Sequence, residues 1–154
     1  MYKLFIADDE AIIREGLRCL LDWETLGFTI AGEAANGDAA LQFLLSETPD
    51  LVLLDIRMPG MSGLDVVRIA REHGYDGKVV ILSGYSDFNY ARTAIRYGVL
   101  SYLTKPIDED ELLEIVSQIR NQLDSDASAR DSSAHYRQKA PGLPSATGSD
   151  PPVP

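Results

Sequence analysis

The 154-residue chain has a single cysteine, no apolar run near the length of about eighteen residues that a membrane helix needs, and no cluster of lysine and arginine. Each absence excludes something. A lone cysteine cannot close an internal disulfide, and Cys19 lies among leucines in a helical pattern, which predicts a buried, inert thiol. The N-terminus runs straight into Lys3 and an acidic cluster, not into a signal peptide's apolar stretch, so the expectation is a cytoplasmic protein with no membrane partner. A formal net charge of −10 offers no basic surface to a phosphate backbone, so nucleic acid is not an expected direct partner of this chain.

What the chain does have is a regular alternation. Hydrophobic residues make up 45% of it, enough for one buried core at this length. Short apolar runs at 2–7, 29–34, 51–54, 79–82 and 100–104 read as strands, several bounded by Gly, Asp or Pro. Between them Ile13, Leu17, Leu20 and Leu21 fall at helical spacing, as do Leu112, Ile115, Val116, Ile119 and Leu123, while 38–46, 63–73 and 87–97 fill the remaining gaps. Strands separated by helices cannot pair as hairpins. The economical architecture is an α/β fold, a doubly wound five-stranded parallel sheet flanked by five helices with right-handed crossovers. The last helix carries its own start signal, Asp108 with Glu111 three residues on, directly after Pro106.

Past Leu123 the composition shifts. Residues 124–154 hold six Ser and five Pro but only Leu143 and Val153 as aliphatics, so 1–123 is the expected domain and 124–154 a disordered Ser/Pro-rich tail. Residues 1–123 hold 11 Lys and Arg against 20 Asp and Glu, so nearly all the acidity belongs to the domain.

In an open parallel sheet, ligands bind beyond the carboxyl ends of the strands. The first predicted strand ends in Asp8 and Asp9, the third in Asp55, the fourth in Ser83 and the fifth in Lys105. All five side chains should meet in one crevice. Any one of these aspartates taken alone fits a helix cap, but five residues in register do not. Three carboxylates together repel one another, a cost relieved by a hard divalent cation, and Mg²⁺ suits oxygen ligands. A lysine and a hydroxyl beside a carboxylate and a metal are what a bound phosphoryl group requires. Asp55 is then the nucleophile, forming an acyl phosphate, and the other two carboxylates are better placed as metal ligands.

These residues sit in the segments FIADDE, LVLLDIRMPGMSGLD, VVILSGY and SYLTKP, and in that combination residues 2 to about 123 resemble the receiver domains of two-component response regulators. The resemblance implies a domain that accepts a phosphoryl group from a sensor histidine kinase on Asp55. It implies Mg²⁺ held by Asp8 or Asp9, by Asp55 and by the backbone carbonyl of Arg57, with Ser83 and Lys105 on the phosphoryl oxygens and a cis peptide before Pro106. Tyr102 stands where the family keeps a switch aromatic that responds to movement of Ser83. Arg57 and Tyr85, two residues after Asp55 and Ser83, occupy positions that influence how fast the phosphoryl group is lost. Phosphorylation is expected to act through the face of 87–97, 100–104 and 108–122. Its Arg92, Arg96, Lys105 and Arg120 stand among Asp108, Glu109, Asp110, Glu111 and Glu114, a two-signed surface able to pair with a second copy.

LLDWETLGF, with GYSDFNYARTAIRYGVLSYLTKPIDEDEL, most resembles receivers that precede an AraC-type helix-turn-helix output domain. Some thirty Ser/Pro-rich residues cannot build that domain, so the chain reads as a stand-alone receiver or a fragment. Rival readings meet specific obstacles. A dehalogenase-type phosphatase needs a second Asp where Arg57 stands, and a nucleotide-binding fold needs a glycine-rich phosphate loop where Asp8, Asp9 and Glu10 would repel a pyrophosphate. A receiver fold kept for protein binding alone would not need Asp55, Lys105 and the acidic pair together.

Overall fold

The computed structural model describes residues 1–84 and 88–139. Five strands, β1 (Tyr2–Ala7), β2 (Phe28–Ala34), β3 (Leu51–Asp55), β4 (Lys78–Ser83) and β5 (Ser101–Thr104), form one all-parallel sheet in the order β2-β1-β3-β4-β5. The order reverses beside β1, and the crevice at such a reversal is where doubly wound sheets bind ligands. The helices are α1 (Ala11–Leu20), α2 (Trp23–Leu26), α3 (Gly37–Glu47), α4 (Gly63–Glu72), α5 (Phe88–Arg96) and α6 (Glu109–Lys139).

The central strands explain their own position. All five residues of β3 are buried, and so are Leu4 to Ala7 of β1 and Val79 to Ser83 of β4, as continuous apolar runs covered on both faces must be. Alternation along the strands then sorts them. Phe5, Ala7, Val52, Leu54, Val79 and Ile81 join Ala40 and Leu44 of α3, Leu64, Val66, Val67 and Ala70 of α4 and Ala94 of α5 in one cluster. Each fully buried Leu or Val contributes about 1.5–3 kcal/mol. The intervening Leu4, Ile6, Leu53, Val80 and Leu82 point the other way; Leu17 of α1 and Leu112, Val116 and Ile119 of α6 are likewise buried. Phe5 stacks on Phe43 with centroids 4.2 Å apart.

Two expectations are corrected. Among the described residues there are six helices, not five, because Trp23–Leu26 forms a turn of its own. The Asp22 carboxylate accepts from the Thr25 N–H at its start, Gly27 takes the left-handed conformation at φ 94° at its end, and the buried Trp23 indole donates to the Leu17 carbonyl. Cys19 is exposed, not buried. Leu17 is the residue α1 buries, and at about 100° per residue a position two further on lies on the opposite side of the helix. In the C-terminal stretch α6 continues past Leu123 to Lys139, and 140–154 of the expected tail lie outside the described residues.

The chain divides into two units, Met1–Ile119 and a second that begins at Arg120. In the second, Arg120 Nε lies 3.3 Å from Asp124 Oδ2, one helical turn on. In the first, the start of α6 is fixed as its sequence suggests, with the Glu111 N–H donating to Asp108 Oδ2 at 2.9 Å.

Candidate functional site

Strand ends deliver the acidic residues. Asp8 follows the last residue of β1 and is buried, Asp9 next to it is exposed, and Asp55 closes β3 and is buried. Each of the three offers a carboxylate oxygen, and these atoms all lie within 4.8 Å of one another. Backbone amides hold the two buried carboxylates in place: the Glu10 N–H donates to Asp8 Oδ1 and the Ile56 N–H to Asp55 Oδ1, both at 2.9 Å.

Lys105, one residue past β5, reaches into this group. Its Nζ donates to Asp8 Oδ2 at 2.6 Å and lies 3.5 Å from Asp55 Oδ1. Burial by itself would lower its pKa, but the hydrogen bond to Asp8 and the charges of Asp55 and Asp8 outweigh that and raise it, so the ammonium stays charged. One cation does not neutralise three carboxylates. Burial pushes the Asp55 carboxyl up to about 6, the Asp8 charge adds to the rise, and Lys105 only partly opposes it. A group of hard oxygen donors with charge left over fits a hard divalent ion such as Mg²⁺.

Ser83 ends β4, buried, in register with Thr104 of β5, and its carbonyl accepts from the Lys105 N–H at 2.7 Å. The next peptide bond, Lys105–Pro106, is cis. Arg57 is exposed and shares with Asp9 the lining of a cleft of about 510 Å³ that also includes Ile56, Met58, Pro59 and Gly60. Tyr102 pairs with Ile81 in β5 and packs, half-buried, on the core cluster. Tyr85 lies outside the described residues.

Sequence patterns did not expose the supporting residues. The Arg14 guanidinium donates to the Asp8 carbonyl at 2.6 Å and to Glu33 Oε1 at 3.2 Å, tying the acidic turn to β2. Gly63 opens α4 with its N–H on the Ile56 carbonyl at 2.8 Å, and a Cβ there would stand 2.1 Å from the Asp55 carbonyl oxygen. Arg14 gives no signal because its partner Glu33 is nineteen positions away.

Residues 4–117 match the response regulator receiver domain. The chain belongs to that family. Among solved structures, this receiver is similar to the REC domain of AraT, a response regulator from Geobacillus stearothermophilus. The TM-score is 0.76 at 39% identity over 82% of this chain and 98% of that one. It is 36% identical to the uncharacterized transcriptional regulatory protein YesN of Bacillus subtilis and 40% identical to the transcriptional regulatory protein HptR of Staphylococcus aureus. Those matches cover 79% and 77% of this receiver but only 34% and 46% of the relatives. Among the described residues no helix is long and apolar enough to cross a membrane.

Proposed function

We propose that this receiver takes a phosphoryl group on Asp55 from a phosphohistidine of a sensor histidine kinase, in the cytoplasm, and signals through α5, β5 and the first turns of α6. The observation that carries the reading is a buried carboxylate at a strand end with two further carboxylates within 4.8 Å and a lysine ammonium at 3.5 Å. In the transfer an Asp55 oxygen forms a P–O bond as the P–N bond to the donor imidazole breaks. The electron pair returns to the imidazole nitrogen, which is then protonated. Acetyl phosphate would serve the same step with acetate leaving.

Asp8, Asp9, Asp55 and the Arg57 carbonyl would hold Mg²⁺, which when bound neutralises charge on the phosphoryl oxygens. Lys105 and the Ser83 hydroxyl take the remaining oxygens. Hydrolysis of the acyl phosphate resets the site. Ser83 and Tyr102 then form the switch: Ser83 moves toward the phosphoryl group and the ring of Tyr102 turns inward. On the output face, Ile95 is 74% and Leu100 43% exposed, which adds apolar area to the mixed charges and supports pairing with a second copy. The longer relatives are named as transcriptional regulatory proteins, and a DNA-binding output is proposed only for a longer form of this protein.

With Mg²⁺ and acetyl phosphate, intact-mass measurement should show one added phosphoryl group, absent from Asp55→Asn. The phosphorylated protein should sediment as a dimer and Asp55→Asn as a monomer. A folded wild-type protein that gains no mass, or an Asp55→Asn protein that labels equally, would overturn the assignment.

A further inference from the structure

Two carbonyls of the loop between β3 and α4 converge on Gly37, the first residue of α3. The Gly37 N–H donates to the Pro59 carbonyl at 3.2 Å. The Met61 carbonyl oxygen lies 1.9 Å, and its carbon 2.6 Å, from where a Cβ on residue 37 would stand. Those are backbone atoms, so they cannot swing away as the tip of a side chain would. The Asn36 carboxamide caps α3 by accepting from the Ala39 N–H at 2.8 Å, which fixes where the helix begins and therefore where Gly37 sits. One residue on, Asp38 Oδ2 would be 2.9 Å from a Cβ on Gly60, itself left-handed at φ 79°. The loop thus rests on the first turn of α3, with no side chain on residue 37 to hold the Pro59 and Met61 carbonyls off.

The other end of that loop is Asp55 and Arg57. Gly63 braces it from α4, with its N–H on the Ile56 carbonyl. Pro59 and Gly60, which touch α3, line the same cleft as Arg57 and Asp9. Moving Pro59 and Met61 by the ångström or more that a methyl group at position 37 demands would displace Arg57, only two residues from Pro59.

We propose that Gly37 is a positioning residue for the metal site: by letting the Pro59 and Met61 carbonyls lie against the start of α3, it sets where the Arg57 carbonyl stands relative to Asp9 and Asp55. The proposal rests on the reading that these groups hold Mg²⁺. Outer residues that orient metal ligands commonly change affinity by about 10–100-fold when replaced.

The test is isothermal titration of the full chain with Mg²⁺, at a temperature where each variant is folded by circular dichroism. Gly37→Ala should bind Mg²⁺ about tenfold more weakly than wild type. Leu44→Ala, a cavity in the buried face of the same helix, should lower the melting temperature yet leave Mg²⁺ affinity unchanged, which separates positioning from general loosening. A folded Gly37→Ala with wild-type affinity overturns the proposal, as does a Leu44→Ala that weakens binding equally. If Gly37→Ala does not fold, Asn36→Ala, which removes the cap that fixes where α3 begins and so where Gly37 sits, takes its place: weakened Mg²⁺ binding supports the proposal and wild-type affinity overturns it. A wild-type protein that binds no Mg²⁺ overturns the metal reading itself and is seen in the first titration.

Discussion

The two ends of the sheet treat buried charge in opposite ways. At the carboxyl ends of β1 and β3, two buried carboxylates share the Lys105 ammonium beside an exposed third, and Asp55 is left with its pKa raised by burial and by Asp8. At the other end, Arg71 near the close of α4 gives its whole fork to backbone carbonyls. Nε donates to Tyr97, one terminal nitrogen to Tyr75 and Gly77, and the other to Gly98, at 2.9 to 3.3 Å. Its guanidinium also lies 5.6 Å from the centroid of the Tyr75 ring. Burial lowers the Arg71 pKa, and Tyr75 and Asp76 pull it back up. The Arg71 end ties α4 to the approaches of β4 and β5. The acidic end holds charge that Lys105 only partly compensates, as the proposed Mg²⁺ and phosphoryl site requires.

The largest effect expected from breaking this contrast is at the satisfied end. Arg71→Ala leaves four carbonyls without their donor and removes packing over Tyr75. It should lower stability by about 2–4 kcal/mol in urea unfolding. Arg71→Lys should recover little, because an ammonium cannot reproduce the planar fork. A loss under about 0.5 kcal/mol, the range of an ordinary surface substitution, would remove Arg71 from its structural role.

The acidic end should respond with the opposite sign. Asp55→Asn removes one of the repelling charges, so without metal it should stabilise the fold at pH 8 by on the order of 1–3 kcal/mol. The pH dependence follows from the direction of the shift. Asp55 has a folded pKa of about 6, above the 3.8 of an ordinary aspartate, so the folded state binds the proton more tightly than the unfolded chain. Its contribution is therefore full below about pH 4 and is lost as pH rises through about 6. Unfolding of metal-free wild type should show this decline, and Asp55→Asn should lack it. A variant no more stable than wild type at pH 8, with the same pH profile, would mean that the carboxylates are not in conflict.

How much of this was legible in the sequence differs between the two ends for a physical reason. Asp8, Asp9, Asp55, Ser83 and Lys105 each follow or close an apolar run, and the parallel topology brings such positions together whatever the crossovers contain. Arg71 gives no such signal, because its partners are carbonyls, which every residue carries. Gly37 and Gly63 look like ordinary loop glycines until the backbones they admit are in place. Cys19 misled because leucines on both sides of it suggest burial, whereas the turn of the helix decides which of them faces inward. Asp22, Trp23 and Gly27 held a cap, a buried indole and a left-handed stop, and a segment of four helical residues is too short for periodicity to reveal.

The smallest expected effect concerns the one exposed member of the acidic group. Asp9 is open to water, where its charge is screened, and it adds less to the rise in the Asp55 pKa than Asp8 does. Replacing it should barely change the metal-free fold: Asp9→Ala is expected within about 0.5 kcal/mol of wild type. Its oxygen is nevertheless one of the three within 4.8 Å, close enough to complete a carboxylate set around one ion. Wild type should therefore gain melting temperature with rising Mg²⁺ as binding linkage requires, and Asp9→Ala should need a higher concentration for the same gain. The two variants then separate the roles of the carboxylates. Asp55→Asn changes stability most when metal is absent, whereas Asp9→Ala differs from wild type only when metal is present. Identical Mg²⁺ dependence in Asp9→Ala and wild type would strike Asp9 from the metal set and leave Asp8 and Asp55 as its carboxylates.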